Sequence, residues 1–256
     1  MKIVVAIKQV PERDAPVRID AVGKWIEESD LQWALNESDA YALEEALQLK
    51  EQHGGEVIVL SAGPERVGST IREALAKGAD RAIHIDCDDL GLRDALGVAR
   101  LLAAAIQPEN PDLILTGLQS DDLGYGQTGV ILAELLNLPH SSLILHVEKS
   151  GTGITVKREL EEGWFQNIEL PLPAALTIQS GGAKLRYATL MGIKRAKTKE
   201  VRRVTAAELS VPPQATVLLD RIALPQKQKT TQILTGTAQE AAAALVEKLK
   251  FEVRAL

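Results

Sequence analysis

The chain has 256 residues, of which 45% are hydrophobic and 25% charged, and its net charge is -6. That length buries a full single-domain core with residues left for an appended arm, while the acidic balance excludes a general nucleic-acid or membrane-surface binder. The only cysteine, Cys87, rules out an internal disulfide framework and a cysteine-based metal cluster. No apolar run approaches the ~20 residues of a membrane span, and residues 3–7 are too short an apolar stretch for a signal peptide. The expected location is therefore cytoplasmic. Aromatic residues make up 3% of the chain, so a large cofactor, which needs stacking rings or a deep apolar pocket, is expected to be shared with a partner.

Short apolar runs at residues 2–7, 56–61, 81–85, 112–116 and 142–147 read as buried strands. Between them the period changes to that of helices. Ala42, Leu43, Ala46, Leu47 and Leu49 share one side of a helix, and Asn36 with Asp39 resembles a capping box at its start. Pro64 suits a first helical turn ahead of Ile71, Leu75 and the terminating Gly78. Residues 92–106 form a third helix, closed by Pro108, and residues 127–136 a fourth. Strands alternating with helices predict right-handed βαβ units and a parallel sheet covered on both faces.

After Gly151 the texture changes. Residues 154–160 and 164–170 alternate apolar and polar positions around Glu161-Glu162-Gly163, which predicts a β-hairpin, and residues 174–179 return to a buried strand. Residues 181–203 hold eight Lys or Arg and one acid, Glu200, on an otherwise acidic chain. Residues 205–236, rich in Pro, Gln and Thr, read as an extended arm; Thr237 and Glu240 form a capping box for a last helix over 241–251. The expected organisation is an α/β domain over 1–204 with a hairpin excursion, a basic loop at 184–199, and a C-terminal arm over 205–256.

Gly124-Tyr125-Gly126-Gln127-Thr128-Gly129 matches G-x-G-x-x-G and opens a helix. Glycines let the backbone approach an anion, and a helix N-terminus offers free N–H groups with about half a positive charge. A dinucleotide fingerprint requires the first glycine directly after the first strand. Here residues 117–123 intervene, and the first strand leads into Lys8-Gln9-Val10-Pro11 without a glycine. The loop therefore reads as a nucleotide site at the edge of the sheet rather than a Rossmann NAD site, with phosphate expected on the N–H groups of Gly126, Gln127 and Thr128. Asp121 and Asp122 would repel phosphate, so they are expected to face ribose hydroxyls, loop N–H groups or solvent, with no metal.

Ser180-Gly181-Gly182 reads as a turn, and the scattered His53, His84, His140 and His146 as structural. With no Walker loop, nucleophile elbow or zinc motif, the chain shows no reacting centre of its own. In the basic segment, Leu190, Met191 and Ile193 stand among Lys194, Arg195 and Lys197, a composition suited to docking an acidic protein partner.

Together these residues resemble the β (small) subunit of electron transfer flavoproteins over nearly the whole chain. The specific parts are Val4-Val5-Ala6-Ile7-Lys8, Asn36 with Glu44-Glu45-Ala46, Ser61-Ala62-Gly63-Pro64, residues 74–81, Gln127-Thr128-Gly129, Arg158-Glu159 and residues 186–190. The resemblance implies a Rossmann-like adenine-nucleotide-binding fold of the universal-stress-like kind. It further implies a heterodimer in which the α subunit holds most of the FAD, the β subunit buries an AMP without redox role, and the C-terminal arm wraps the partner. The AMP contacts would fall on Ala6, Asn36, Glu37, Ser38, Asp39, Ala62, Gly117, Leu118, Gln119, Ser120, Asp121, Asp122, Leu123, Gly124, Tyr125, Gly126, Gln127 and Thr128.

The family's partner-recognition loop would cover 187–199. Its anchor Leu190 would enter a pocket of a flavin dehydrogenase such as acyl-CoA dehydrogenase, beside Tyr187, Met191, Ile193, Lys194, Arg195 and Lys197. Glu159 matches a carboxylate that pairs with an arginine of the α subunit's mobile flavin domain. Electrons would pass onward to a membrane quinone reductase, as in fatty acid β-oxidation, in the bacterial cytoplasm or the mitochondrial matrix. Three positions depart from the pattern: Met191-Gly192 where proline commonly follows the anchor, Arg13 where a tyrosine lies near the flavin, and only Asp121-Asp122 in the acidic loop. Electron-bifurcating relatives hold a second FAD in place of AMP and carry Thr-Ala-Gln-Val-Gly where this chain has residues 125–129. The same residues also admit a stand-alone universal-stress-type homodimer or a nucleotide-dependent enzyme of the same fold.

Overall fold

The computed structural model describes residues 1–225 and 231–254. In chain order, β1 (Lys2–Ala6) leads through a short antiparallel ribbon, β2 (Gln9–Pro11) and β3 (Trp33–Leu35), into α1 (Glu37–His53). There follow β4 (Glu56–Gly63), α2 (Gly68–Lys77), β5 (Arg81–Asp86), α3 (Ala95–Ile106), β6 (Leu113–Gly117) and α4 (Thr128–Leu135). The chain continues through β7 (His140–Ser150), β8 (Gly153–Glu159), β9 (Phe165–Pro171), β10 (Ala174–Ile178), α5 (Leu190–Ala196), β11 (Val201–Thr205) and α6 (Ala238–Lys248).

Nine of these strands form one sheet in the order β11-β5-β4-β1-β6-β10-β7-β8-β9. From β11 to β7 all neighbours are parallel, and β7-β8-β9 extends the sheet as an antiparallel meander. The expected hairpin is present, and β7 is its third strand. Alternation along β1 explains why its sequence is continuously apolar. Ile3 and Val5 enter one core with Leu43, Leu47, Ile71 and Leu75, while Val4 and Ala6 enter the other with Ile58, Leu60, Leu101 and Leu132. Burying each large aliphatic side chain on either face contributes about 1.5–3 kcal/mol.

Several local expectations change. Asn36 is the N-cap of α1, yet its side chain makes no capping bond, because it and Asp39 reach across to the loop after β6 instead of closing a box. The third helix begins at Ala95 rather than at residue 92, where Asp94 caps it by accepting from the Gly97 N–H at 2.8 Å. After the 184–199 segment comes β11, an edge strand beside β5 that the sequence expectations do not include, tied down by Arg202 to Glu109 at 2.8 Å. Adjacent charges, Arg202 and Arg203, on an edge strand hide it from a hydrophobicity reading. The ribbon β2–β3 is likewise absent from the sequence expectations; its strands are too short to show a period.

Contacts divide the chain into Met1–Arg221 and Ile222–Leu256. The first unit continues past the change of composition near Thr205. Arg93 donates to the carbonyls of Val211 and Pro212, and Asp94 accepts from Thr216 and Val217. In the second unit Thr237 and Glu240 form the expected capping box for α6, which begins at Ala238 and ends in a wide turn, Leu249–Val253. Leu245, Val246 and Phe251 of this unit are exposed. Among the described residues no helix is long and apolar enough to cross a membrane.

The Gly97 N–H and those of Thr216 and Val217 hold the Asp94 carboxyl well below the usual carboxylate range. A depressed folded-state value means the contribution is present above the unfolded value of ~3.9 and is lost as pH falls below it. Asp94→Ala should cost about 1 kcal/mol in urea denaturation and open residues 213–221 to proteolysis at neutral pH. The unaltered protein should resist this cleavage through the usual carboxylate range and lose the protection only as pH falls well below it. Equal cleavage of both proteins at pH 7 would contradict the tether.

Candidate functional site

From β1 the sheet grows to β4 and β5 on one side, and the chain then returns to place β6 on the other. The strand order therefore reverses between β1 and β6, and the crevice outside their carboxyl ends is where open α/β sheets bind ligands. Ala6 pairs with Thr116 there, and the loop from Gly117 to Gln127 rises from it. The glycine motif follows the fourth parallel strand in sequence but stands beside the first in space.

Asp39 ties the two strand ends together. Its Oδ2 accepts the Lys8 N–H at 2.7 Å and its Oδ1 the Gly117 N–H at 2.8 Å. Burial pushes its carboxyl up to about 7, against those two N–H bonds. Gly117 must be glycine, since a Cβ there would run into the Asp39 carboxylate and the Ser38 hydroxyl. Ser38 donates to the Gln119 carbonyl at 2.7 Å and Asn36 to the same oxygen at 2.9 Å, while the Asp121 N–H returns to Asn36 Oδ1 at 2.9 Å. The Glu37 N–H reaches Asp121 Oδ2 at 3.2 Å, and Leu118 donates its N–H to Ile178 of β10.

Past this bracket the loop turns on Gly124 (φ 63°), whose N–H meets the Ser120 carbonyl, and on Gly126 (φ 62°). Left-handed Gly126 is followed by right-handed Gln127 (φ -108°, ψ -32°), the N-cap of α4. Leu123 and Tyr125 are exposed, and Ala62, half-buried, lies at the carboxyl end of β4 next to β1. The structure thus assembles Ala6, residues 36–39, Ala62 and residues 117–128 at one edge.

Asp121 accepts a backbone N–H, that of Glu37, and Asp122 accepts the loop N–H of Leu123, but Asp122 also pairs with Lys8 Nζ at 2.6 Å, a partner outside the sequence expectation. Burial alone would raise Asp122, but the Lys8 charge and hydrogen bond hold it below its usual value. Lys8 is a site residue that the sequence reading does not include. Its signal is position, directly after the first strand at the carboxyl edge. Among the described residues no group of three or more His, Cys, Asp or Glu could hold a metal.

The basic segment is less loose than a loop. Arg186 pairs with the buried Glu44 at 2.8 Å and with Glu51 at 2.5 Å, and the guanidinium holds Glu44 below its usual value despite burial. Arg72 of α2 donates to the Ala196 and Lys199 carbonyls, and Lys199 reaches back to the carbonyls of Leu75 and Ala79. Residues 190–196 are helical as α5, capped by Thr189, and Gly192 sits so close to the Ala76 carbonyl that a side chain would collide with it. This contact accounts for glycine at 192. The framework leaves Leu190 83% exposed, with Tyr187, Met191, Ile193, Lys194, Arg195 and Lys197 also exposed. Glu159 lies apart from this surface, on β8, where it accepts from Gln179 at 3.3 Å.

The histidines fill different places. His84 is buried and bonds the Gly63 carbonyl at 2.9 Å, and His146 meets Glu45 and Glu148. Ser180-Gly181-Gly182 is a turn, with Gly181 at φ 96°.

The fold and this edge define a Rossmann-like α/β protein with a glycine-rich loop at its topological switch point. A profile of the electron transfer flavoprotein domain matches residues 24–209. The electron transfer flavoprotein subunit beta of Methylophilus methylotrophus is 38% identical over 96% of this chain and 97% of its own length. The mitochondrial subunit beta of Oryza sativa subsp. japonica is 37% identical over all of both chains, and that of Bacillus subtilis 34% over all of both. The chain belongs to the electron transfer flavoprotein family, as a β subunit, and membership implies an α-subunit partner.

Removing the Asp39 carboxylate strands two backbone N–H groups, at about 1–3 kcal/mol each. Asp39→Ala should lower stability by ~2–5 kcal/mol, and Gly117→Ala should also lower it, both read as urea midpoints. A midpoint for Asp39→Ala within error of the unaltered protein would refute the bracket.

Proposed function

We propose that this chain is the non-catalytic half of a heterodimeric electron carrier, holding AMP as a structural ligand and completing the FAD site of the α subunit. The observation that carries the nucleotide reading is the glycine loop that leads into the N-terminus of α4 at the switch point, where the N–H groups of Gly126, Gln127 and Thr128 would meet a ligand. It suits a phosphate, and the edge formed by Ala6, Asn36 and Ala62 would take the nucleoside. When bound, FAD would supply the redox chemistry. This chain's own residues would contribute position: the Asp39 bracket holds the loop, and Glu159 stands ready for an arginine of the α subunit. Scarce aromatic residues agree with a flavin held mainly by the partner.

The docking reading rests on α5. A rigidly held helix that exposes Leu190 among Lys194, Arg195 and Lys197 suits a pocket with an acidic rim. We assign it to acyl-CoA-type flavin dehydrogenases, with a quinone reductase as the onward acceptor, in the bacterial cytoplasm or the mitochondrial matrix. The C-terminal arm would pack on the α subunit.

Co-expression with an α subunit should yield a yellow heterodimer, and heat should release one AMP per β chain by mass. A colourless homodimer would sink the carrier reading, and a second FAD in place of AMP would overturn the nucleotide. Leu190→Ala should slow reduction by a partner dehydrogenase about tenfold or more, equivalent to a hot-spot loss of ~1.4 kcal/mol or more, with the flavin spectrum unchanged. An unaffected rate would refute the anchor.

A further inference from the structure

We propose that Arg186, clasped by Glu44 and Glu51 of α1, is a positioning residue for docking: it fixes the direction in which α5 presents Leu190 and itself touches no partner. The inference rests on the docking reading of α5 above and deepens it.

α5 cannot hold its own direction. It has seven residues, Leu190–Ala196, too few for a helix to persist unaided. Its far end is pinned to α2, where Arg72 donates to the Ala196 and Lys199 carbonyls, and Gly192 lies against the Ala76 carbonyl. Leu190 stands at the other end. There Thr189 caps the helix by accepting the Gly192 N–H at 3.0 Å, a bond that orders the first turn but ties it to nothing outside the segment. Just upstream, Ala188 offers the core a single methyl group. The strong hold on this end is therefore Arg186.

That hold uses all three guanidinium nitrogens. Nε and Nη2 donate to the two oxygens of Glu44 at 2.8 and 2.9 Å, and Nη1 and Nη2 to the two oxygens of Glu51 at 2.5 and 3.1 Å. Gln48 donates to Glu44 at 3.0 Å, and the Arg186 N–H reaches Glu44 Oε2 at 3.3 Å, so backbone and side chain are gripped together. Glu44, Gln48 and Glu51 follow at intervals of four and three residues, which places them on one face of α1. A planar fork between two carboxylates fixes direction and rotation, whereas an ammonium is a point charge on a flexible stem. The pairing also takes Arg186 out of the docking charge. Lys194, Arg195 and Lys197 are exposed to steer an acidic partner, while Arg186 is answered by two carboxylates of its own chain.

The test uses the purified heterodimer as the varied substrate of a partner dehydrogenase. Arg186→Lys keeps the charge and loses the fork, so KM for the carrier should rise about fivefold or more. The kcat at saturation, the flavin spectrum and the salt dependence of KM should stay unchanged, because a role in charge alone is met by lysine. Glu51→Gln, on the exposed side of the clasp, should raise KM about threefold. Amide exchange over 187–193 should quicken in both variants. Since Arg186 acts through Leu190, the two substitutions should not add: in a Leu190→Ala background, Arg186→Lys should change KM by less than about twofold.

An unchanged KM for Arg186→Lys beside a slowed Leu190→Ala would overturn the clasp and leave the docking reading standing. Additive effects of the two substitutions would overturn it as well. No effect of Leu190→Ala would remove the docking reading, and the clasp with it. Should Arg186→Lys fail to assemble, Glu51→Gln and its own cycle with Leu190→Ala decide.

Discussion

The carboxylate of Asp39 is the point on which the functional edge depends. It sits in the first turn of α1 and receives backbone N–H groups from just beyond β1 and from the end of β6, at 2.7 and 2.8 Å. Parallel strands end in N–H and C=O groups that the ladder no longer satisfies. At a switch point the two chains diverge to opposite sides, so some other group must close the gap. A single buried acid does this for both strands and fixes the helix N-terminus against them. The loop placed at the edge inherits that geometry through the Ser38 and Asn36 bonds that hold it.

The same logic separates the two working surfaces. The candidate nucleotide edge is built from backbone groups, so its chemistry is neutral hydrogen bonding, and its side-chain charges serve to hold the loop. The proposed docking surface is built from exposed side chains on α5, and the segment is anchored from behind by Arg72, Arg186 and Lys199. Buried ion pairs such as Arg186 with Glu44 add little net stability but specify position. Position is what an exposed leucine needs if a partner is to find it. Gly192 against Ala76 serves the same end by letting α5 lie close on α2.

Where local sequence and structure part company, the cause is a shared one. Asn36 and Asp39 have the spacing of a capping box, yet both side chains serve the loop at residues 117–121, which is remote in sequence. The G-x-G-x-x-G motif follows a late strand, yet it occupies the crevice where a first-strand motif would lie, because β6 is laid beside β1. Residues 201–205 carry adjacent arginines, yet form a strand, because β5 offers an open edge and Glu65 and Glu109 neutralise the charges. In each case local sequence carries a correct signal of residue chemistry and an incomplete one of partner.

Periodicity alone determined the main alternation of strands and helices, the hairpin, the final capped helix and the apolar side of α1, since burial depends on which side a residue faces and that is a local property. Composition alone determined that residues 181–203 form a basic segment with apolar members, and residue order alone carried the family likeness. Only the tertiary structure decided the strand order, and with it the switch point, the role of Asp39, the use of Lys8, and the helical, anchored form of the basic segment. These depend on contacts between residues separated by tens to more than a hundred positions, such as Lys8 with Asp122 or Arg186 with Glu44, and no local period encodes which distant groups will meet.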